Sequence, residues 1–221
     1  MVESASASER AYRAIRDAIL DGTHQPGTML GEATVAQQLG MSRTPVRAAL
    51  TRLQEEGWIV TYPKRGALVQ GLSERQIAEL ADARNVLETT AVDRAPAALR
   101  AQLADALDES IERQRAAFDA GDVREFIELT LQFHRGFVEA GGNGVLLELY
   151  GRLADRHRFV LFANGERLLT RCEAIMHEHR QLAGHLRAGD VAAFAAVLRE
   201  HSGDLVPPLE GDSFGMLWAR P

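Results

Sequence analysis

Between Leu39 and Arg47 the chain reads Leu-Gly-Met-Ser-Arg-Thr-Pro-Val-Arg, and no other stretch limits the fold as tightly. Ser42 can accept a hydrogen bond from a free first-turn amide, and Pro45 is tolerated because those amides have no partner inside the helix. A helix is therefore expected to begin near Arg43. Val46, Ala49, Leu50 and Leu53 then recur at helical spacing as one buried stripe, while Arg43, Arg47 and Thr51 line another face.

Upstream, Gly31 to Leu39 reads as a short amphipathic helix with Val35, Ala36 and Leu39 inward, and Gly40 breaks it. Two helices joined by so short a turn form a helix-turn-helix, whose second helix brings its N-terminal residues to base edges in the major groove. Gly57 suits a left-handed end to that helix. Trp58 to Tyr62 and Ala67 to Val69 are rich in β-branched and aromatic residues and read as two strands, joined by the basic turn Pro63-Lys64-Arg65-Gly66. The pair makes a wing.

The run from Tyr12 through Gly71 resembles the DNA-binding domain of GntR-type bacterial regulators. The resemblance rests on Ile15-Arg16-Asp17-Ala18-Ile19-Leu20-Asp21-Gly22, Pro26-Gly27-Thr28-Met29-Leu30, Leu39 through Leu50, and Arg65-Gly66-Ala67-Leu68-Val69. It implies that Arg43 and Arg47 contact bases, and that Thr44, Arg52, Lys64, Arg65 and Gly66 meet phosphate or the groove at the wing. Ala33 stands where many relatives carry a basic residue. A homodimer is expected, because half-sites in double-stranded operator DNA mirror protein two-fold symmetry.

A net charge of -6 looks wrong for a DNA binder until it is divided along the chain. Residues 1–71 hold 8 Lys and Arg against 7 Asp and Glu, and the remainder 17 against 24, so the acidic excess lies outside the motif. No apolar run approaches the roughly 20 residues of a membrane span. Met1 to Arg10 lacks the basic start and apolar stretch of a signal peptide. The single cysteine, Cys172, rules out an intramolecular disulfide and reads as a small buried apolar residue, as in a cytoplasmic protein.

After Leu72 the pattern becomes wholly helical. Ser73 and Gln76 form a capping box, and six helices are expected at Glu74–Ala95, Ala97–Ala120, Asp122–Ala140, Val145–Ala163, Glu166–Ala188 and Val191–Leu205. The fold class is thus mainly α: a winged helix-turn-helix with a small β wing over residues 1–71, then an antiparallel all-helical bundle over residues 72–206. An irregular tail is expected over residues 207–221.

Within the bundle, His134, His179 and His201 fall on three different helices, where an inward imidazole needs a partner. The segments Phe126 to His134 with Glu139 to Asn143, Glu178-His179-Arg180, Ala188-Gly189-Asp190 and Glu200-His201 resemble the FCD-type ligand-sensing domain of the FadR branch of the same family. Metal-containing relatives hold a divalent ion with an Asp and three His; here Thr130 replaces the Asp. The resemblance implies that the three histidines bind Zn²⁺ or Ni²⁺ with an open position, or else hydrogen-bond an anionic effector directly. Arg84 matches a family position facing the cavity, where its guanidinium would bind a small carboxylic acid; pairing with Glu88 at the surface is the alternative. His24, His157, His177 and His185 are read as surface or packing residues.

The expected function is a ligand-responsive transcriptional regulator, a repressor, with effector binding moving the readers through the Gly71–Ser73 connection; an effector-activated regulator is the alternative in sign. A metal-dependent hydrolase using the histidines is a rival of another class, but the chain has no HExxH arrangement, nucleophile motif or phosphate loop, so no enzyme is expected. A non-specific DNA-compacting protein is a third.

Overall fold

The computed structural model describes residues 5–203; the expected tail and the end of the last helix lie outside them. The N-terminal unit opens with α1 (Ala7–Leu20), capped by the Ser6 hydroxyl, which accepts from the Glu9 amide at 3.1 Å. Its apolar residues Ala11, Tyr12, Ile15 and Ile19 are buried against α3 (Arg43–Glu55), whose own stripe is Val46, Ala49, Leu50 and Leu53. The short α2 (Glu32–Gln38) precedes α3, and Gly40 between them takes a left-handed φ of 62°. Ser42 is the N-cap residue of α3 as expected, but its hydroxyl makes no capping bond, which corrects the expected mechanism and leaves the first-turn amides of α3 without it.

Beside the two expected strands, β2 (Ile59–Tyr62) and β3 (Gly66–Val69), there is a third, β1 (Met29–Leu30), and the antiparallel order is β1-β3-β2. β1 is too short to show alternation in sequence. Gly66 is fixed by this sheet: its φ is 115°, and a Cβ there would lie 2.6 Å from the Leu30 carbonyl oxygen.

The second unit comprises α4 (Glu74–Arg94), α5 (Ala97–Asp119), α6 (Val123–Ala140), α7 (Gly144–Ala163), α8 (Gly165–Ala188) and α9 (Val191–Gly203). The capping box at α4 is formed by Ser73 and Gln76. α6 packs on α4, α5 and α7, and α8 on α5 and α9. Gly141 lets α6 end against α4, where a Cβ would meet Ala91 backbone at 2.9 Å. Cys172 is buried as expected, and burial pushes its thiol up to about 11, so it stays protonated at neutral pH.

The two units share apolar core. Phe159 of α7 is 2 % exposed and belongs to the cluster built by α1, α3 and the wing. Arg16 of α1 pairs with Asp155 of α7, and Arg124 of α6 reaches Asp21 at 3.3 Å. No helix among the described residues is long and apolar enough to cross a membrane.

Candidate functional site

Two arrangements of polar side chains stand out, one on the surface of the N-terminal unit and one at the heart of the bundle. On the surface, a cleft of about 500 Å³ runs between α3 and the wing, lined by Arg43, Arg47, Lys64, Arg65 and Gly66 among others. Arg43 and Arg47 project from the first turns of α3 with most of their side chains exposed, 63 % and 64 %. Both are held by one carboxylate: Glu32 accepts from Arg43 at 3.1 Å and from Arg47 at 2.9 and 2.8 Å. The Arg47 hydrogen bonds, with those of Arg43, bring the Glu32 carboxyl down to about 2. Glu32 was not singled out in the sequence; its position beside Ala33, at the start of α2 and facing the two arginines, is visible only once the turn is folded.

Lys64 sits at the wing tip with a left-handed φ of 63°. Thr44 is exposed near the start of α3. Arg52 is differently placed: its guanidinium lies 3.6 Å over the Tyr12 ring and pairs with Glu9 at 2.9 Å and Glu56 at 3.0 Å, so it braces α3 on α1.

In the bundle, His134 of α6, His179 of α8 and His201 of α9 converge, each offering a ring nitrogen within 4.8 Å of the others. Each ring is oriented from behind. His134 Nδ1 donates to Glu88 Oε2 at 2.9 Å, His179 Nδ1 to Gln114 Oε1 at 2.8 Å, and His201 Nδ1 to Glu178 Oε2 at 2.6 Å. Those oxygens only accept, so the protons sit on Nδ1 and the three Nε2 lone pairs turn inward. His134 Nε2 and His201 Nε2 lie 3.1 Å apart, lone pair toward lone pair, and His179 Nε2 has no partner. A cation, or a proton on one ring, relieves that repulsion.

Alongside lies a second group with the opposite need. Arg84 of α4 is 1 % exposed, which places it inside the bundle and makes its pairing with Glu88 a buried one rather than a surface one. Its Nε donates to Glu88 Oε1 at 3.1 Å and its Nη1 to His157 Nε2 at 2.8 Å. Nη2 lies 3.1 Å from Glu88 Oε1 without hydrogen-bond alignment and is left over. Because a guanidinium only donates, His157 must accept at Nε2 and carry its proton on Nδ1, which is buried with no acceptor. His157 is therefore no surface residue; among the four histidines set aside in the sequence, it alone joins the site. The hydroxyl of Thr130, one turn before His134 on α6, is also buried and unpartnered.

Burial of the rings drives His134, His157 and His179 well below the ordinary histidine value, with the Arg84 charge and neighbouring rings acting the same way. For Glu88, burial pushes the carboxyl up, opposed by Arg84 and by the Tyr150 hydroxyl that donates to it at 3.0 Å. Burial likewise works against the Glu178 carboxylate, but the His201 hydrogen bond together with the charges of His201, Arg171 and His177 outweighs it and holds the group below its usual range.

Comparison with known proteins places both units. Residues 7–69 match the family model described as bacterial regulatory proteins, gntR family, and residues 79–204 match the FCD domain. An uncharacterized HTH-type transcriptional regulator of Agrobacterium vitis is 36 % identical over 140 residues, 62 % of this chain and 82 % of that protein. The gluconate operon transcriptional repressor of Bacillus subtilis is 28 % identical over 213 residues, covering 95 % and 87 %. Among solved structures, McbR/YncC of E. coli matches with a TM-score of 0.71 at 25 % identity, covering 91 % of this chain and 95 % of that one. A Rhodococcus regulator reaches a TM-score of 0.77 over 93 % and 100 % of the two chains, and at 22 % identity shows the fold alone.

Proposed function

The chain belongs to the gntR family of bacterial regulatory proteins and carries its FCD domain, and from that premise we propose that a small organic acid, bound with a divalent ion at the histidine cluster, sets its hold on operator DNA. It is a DNA-binding transcriptional regulator. The observation that carries the effector reading is the pairing of unmet needs inside the bundle. His134, His179 and His201 turn lone pairs toward one point, while Arg84 Nη2 and the His157 Nδ1–H are donors without acceptors. A cation suits the first group and an anionic oxygen the second, and an isolated ligand of either sign leaves half of the set unsatisfied.

The three imidazoles would hold Zn²⁺ or Ni²⁺, and the Nδ1 acceptors Glu88, Gln114 and Glu178 fit the role of orienting them. When bound, the ion supplies positive charge that a carboxylate can neutralise. Thr130 adds no charge where metal-containing relatives have Asp, so the effector's own carboxylate has more to neutralise here. Arg84 and Glu88 cancel one another and orient the acid rather than attract it.

On the DNA side, Arg43 and Arg47 reach base edges from α3, Lys64 and Arg65 follow the backbone from the wing, and a homodimer spans a two-fold operator. Thr44 can add a phosphate contact, whereas Arg52 serves α3 through Tyr12, Glu9 and Glu56. Names of relatives speak of regulation and repression, which favours a repressor over the hydrolase reading of the same histidines. Release requires that the acid and ion prefer the arrangement that cannot bind DNA.

The test uses chelator-treated full chain. Zn²⁺ or Ni²⁺ is added alone, then with gluconate, citrate or lactate, and binding to an operator fragment is titrated. The expected outcome is stoichiometric metal uptake and at least a roughly tenfold change in operator affinity with one of the acids. Absence of metal uptake in the wild type, together with an operator affinity indifferent to every acid, overturns the proposal.

A further inference from the structure

Within one turn, α7 touches both the histidine site and the far end of the helix that carries Arg43 and Arg47. Arg156 Nη2 donates to the backbone carbonyl of Glu56 at 2.6 Å, and Glu56 is the C-cap of α3. A cation from the bundle thus closes the end of the DNA-reading helix, where free carbonyls and the helix dipole favour positive charge. The same guanidinium lies 3.8 Å over the Trp58 ring, Phe159 packs edge-on to Trp58 at 5.7 Å between centroids, and Asp155 pairs with Arg16 of α1. The residue between Arg156 and Arg158 is His157, whose ring accepts from Arg84 and stands 6.1 Å from that of His134.

Resting on the effector reading above, we propose that the Asp155–Phe159 turn of α7 is the element coupling the two sites: His157 contacts the bound acid, and Arg156 carries the displacement to the end of α3. An anionic oxygen that takes the free His157 Nδ1–H, or draws Arg84 away from Nε2, pulls directly on α7. Phe159 is locked in the N-terminal core and Arg156 between Glu56 and Trp58, so a shift of this turn cannot be absorbed by loose packing. The covalent route, from Arg84 along α4 to the Gly71–Ser73 connection, instead enters the N-terminal unit on the wing side, where the Gln70 amide donates to the Trp58 carbonyl at 2.9 Å.

The experiment measures operator affinity with and without Zn²⁺ plus citrate, taking the ratio as the coupling, for the wild type, Arg156→Ala and Asp155→Asn. Binding of Zn²⁺ and citrate is followed separately by calorimetry, and circular dichroism checks that each variant is folded. The expected result is that Arg156→Ala binds Zn²⁺ and citrate as the wild type does while its coupling ratio falls toward one, with Asp155→Asn in between. In a Trp218→Phe background, Trp58 is the single tryptophan, and its emission should change on ligand addition in the otherwise wild-type protein and not in Arg156→Ala. A wild-type ratio in both α7 variants, or a Trp58 signal indifferent to ligand while the operator is released, overturns the inference and favours the α4 route. If Arg156→Ala does not fold, Asp155→Asn and the Trp58 signal decide. A wild type that takes up neither Zn²⁺ nor any of citrate, gluconate and lactate overturns the effector reading itself, an outcome distinct from bound but uncoupled.

Discussion

Acid should unfold the metal-free protein over an unusually high pH range, because His134, His157 and His179 are buried as neutral rings. In the unfolded chain they titrate near 6.5, and in the folded chain well below it. Below pH 6.5 the unfolded state therefore takes up protons that the native state refuses, and stability falls with pH; above 6.5 this contribution disappears. Glu88 acts in the opposite sense. Burial raises its carboxyl, so the native chain binds that proton first, and its contribution is present at low pH and lost as pH rises through the folded value. Three groups against one leave a net uptake on unfolding of two to three protons near pH 5.5, or about 2.5–4 kcal/mol per pH unit. Total stability of about 5–15 kcal/mol cannot sustain that slope for long. The depressed carboxylates Glu32, Asp21 and Glu178 lose their partners' support only below the ordinary carboxylate values of 3.8–4.5, so the window from pH 5 to 6.5 reports the buried histidines and Glu88 without them. Urea unfolding followed by circular dichroism, at fixed protein concentration with chelator, gives the slope directly. His157→Gln should remove about one proton from it. Equal stability at pH 7 and 5.5 would refute the argument that these rings are neutral and enclosed.

On DNA, Arg47→Ala should weaken operator binding about 10- to 100-fold and random DNA much less. An equal loss on every sequence makes Arg47 a phosphate contact. Glu32→Gln frees both arginines from their shared carboxylate and should raise affinity for random DNA more than for operator, narrowing specificity in a competition titration; unchanged specificity means the pairing does not position them. Thr130→Asp adds a carboxylate beside the three imidazoles and should tighten Zn²⁺ binding by roughly tenfold or more, measured by chelator competition; weaker binding places position 130 away from the ion. Gly66→Ala, with its Cβ 2.6 Å from the Leu30 oxygen, should cost about 1–3 kcal/mol in thermal unfolding, and a neutral result means β1 can leave the sheet cheaply.

Most of the architecture was legible because it is written in local periodicity and punctuation. The stripe of Val46, Ala49, Leu50 and Leu53, the capping box at Ser73 and the left-handed Gly57 each act over a single turn, and each is present. β1 was not legible, since two residues carry no alternation and pair only because β3 supplies the partner edge. Ser42 shows the limit of cap reading in the other direction. A residue type suited to capping occupies the N-cap position without making the bond, since position alone does not fix the rotamer.

The site divides along the same line. Three histidines were found through a resemblance that names positions, but what those positions need is set by neighbours far away in sequence. Gln114 and Glu88 lie on the buried stripes of α5 and α4, spaced with Leu107 and Ile111 and with Leu80 and Ala91. That periodicity was available as a signal: a polar residue on an apolar stripe must find a partner. His157 carried the same signal, seven residues after buried Tyr150 on α7. What periodicity could not supply is the sign of the need. His157 lacks an acceptor and His179 lacks a cation or donor, a distinction that follows from Arg84 facing one ring and Gln114 the other. The partners assign the tautomers, and the tautomers determine which ligand atom each ring can receive, so the chemistry of this pocket is a property of pairs of helices and of no single segment.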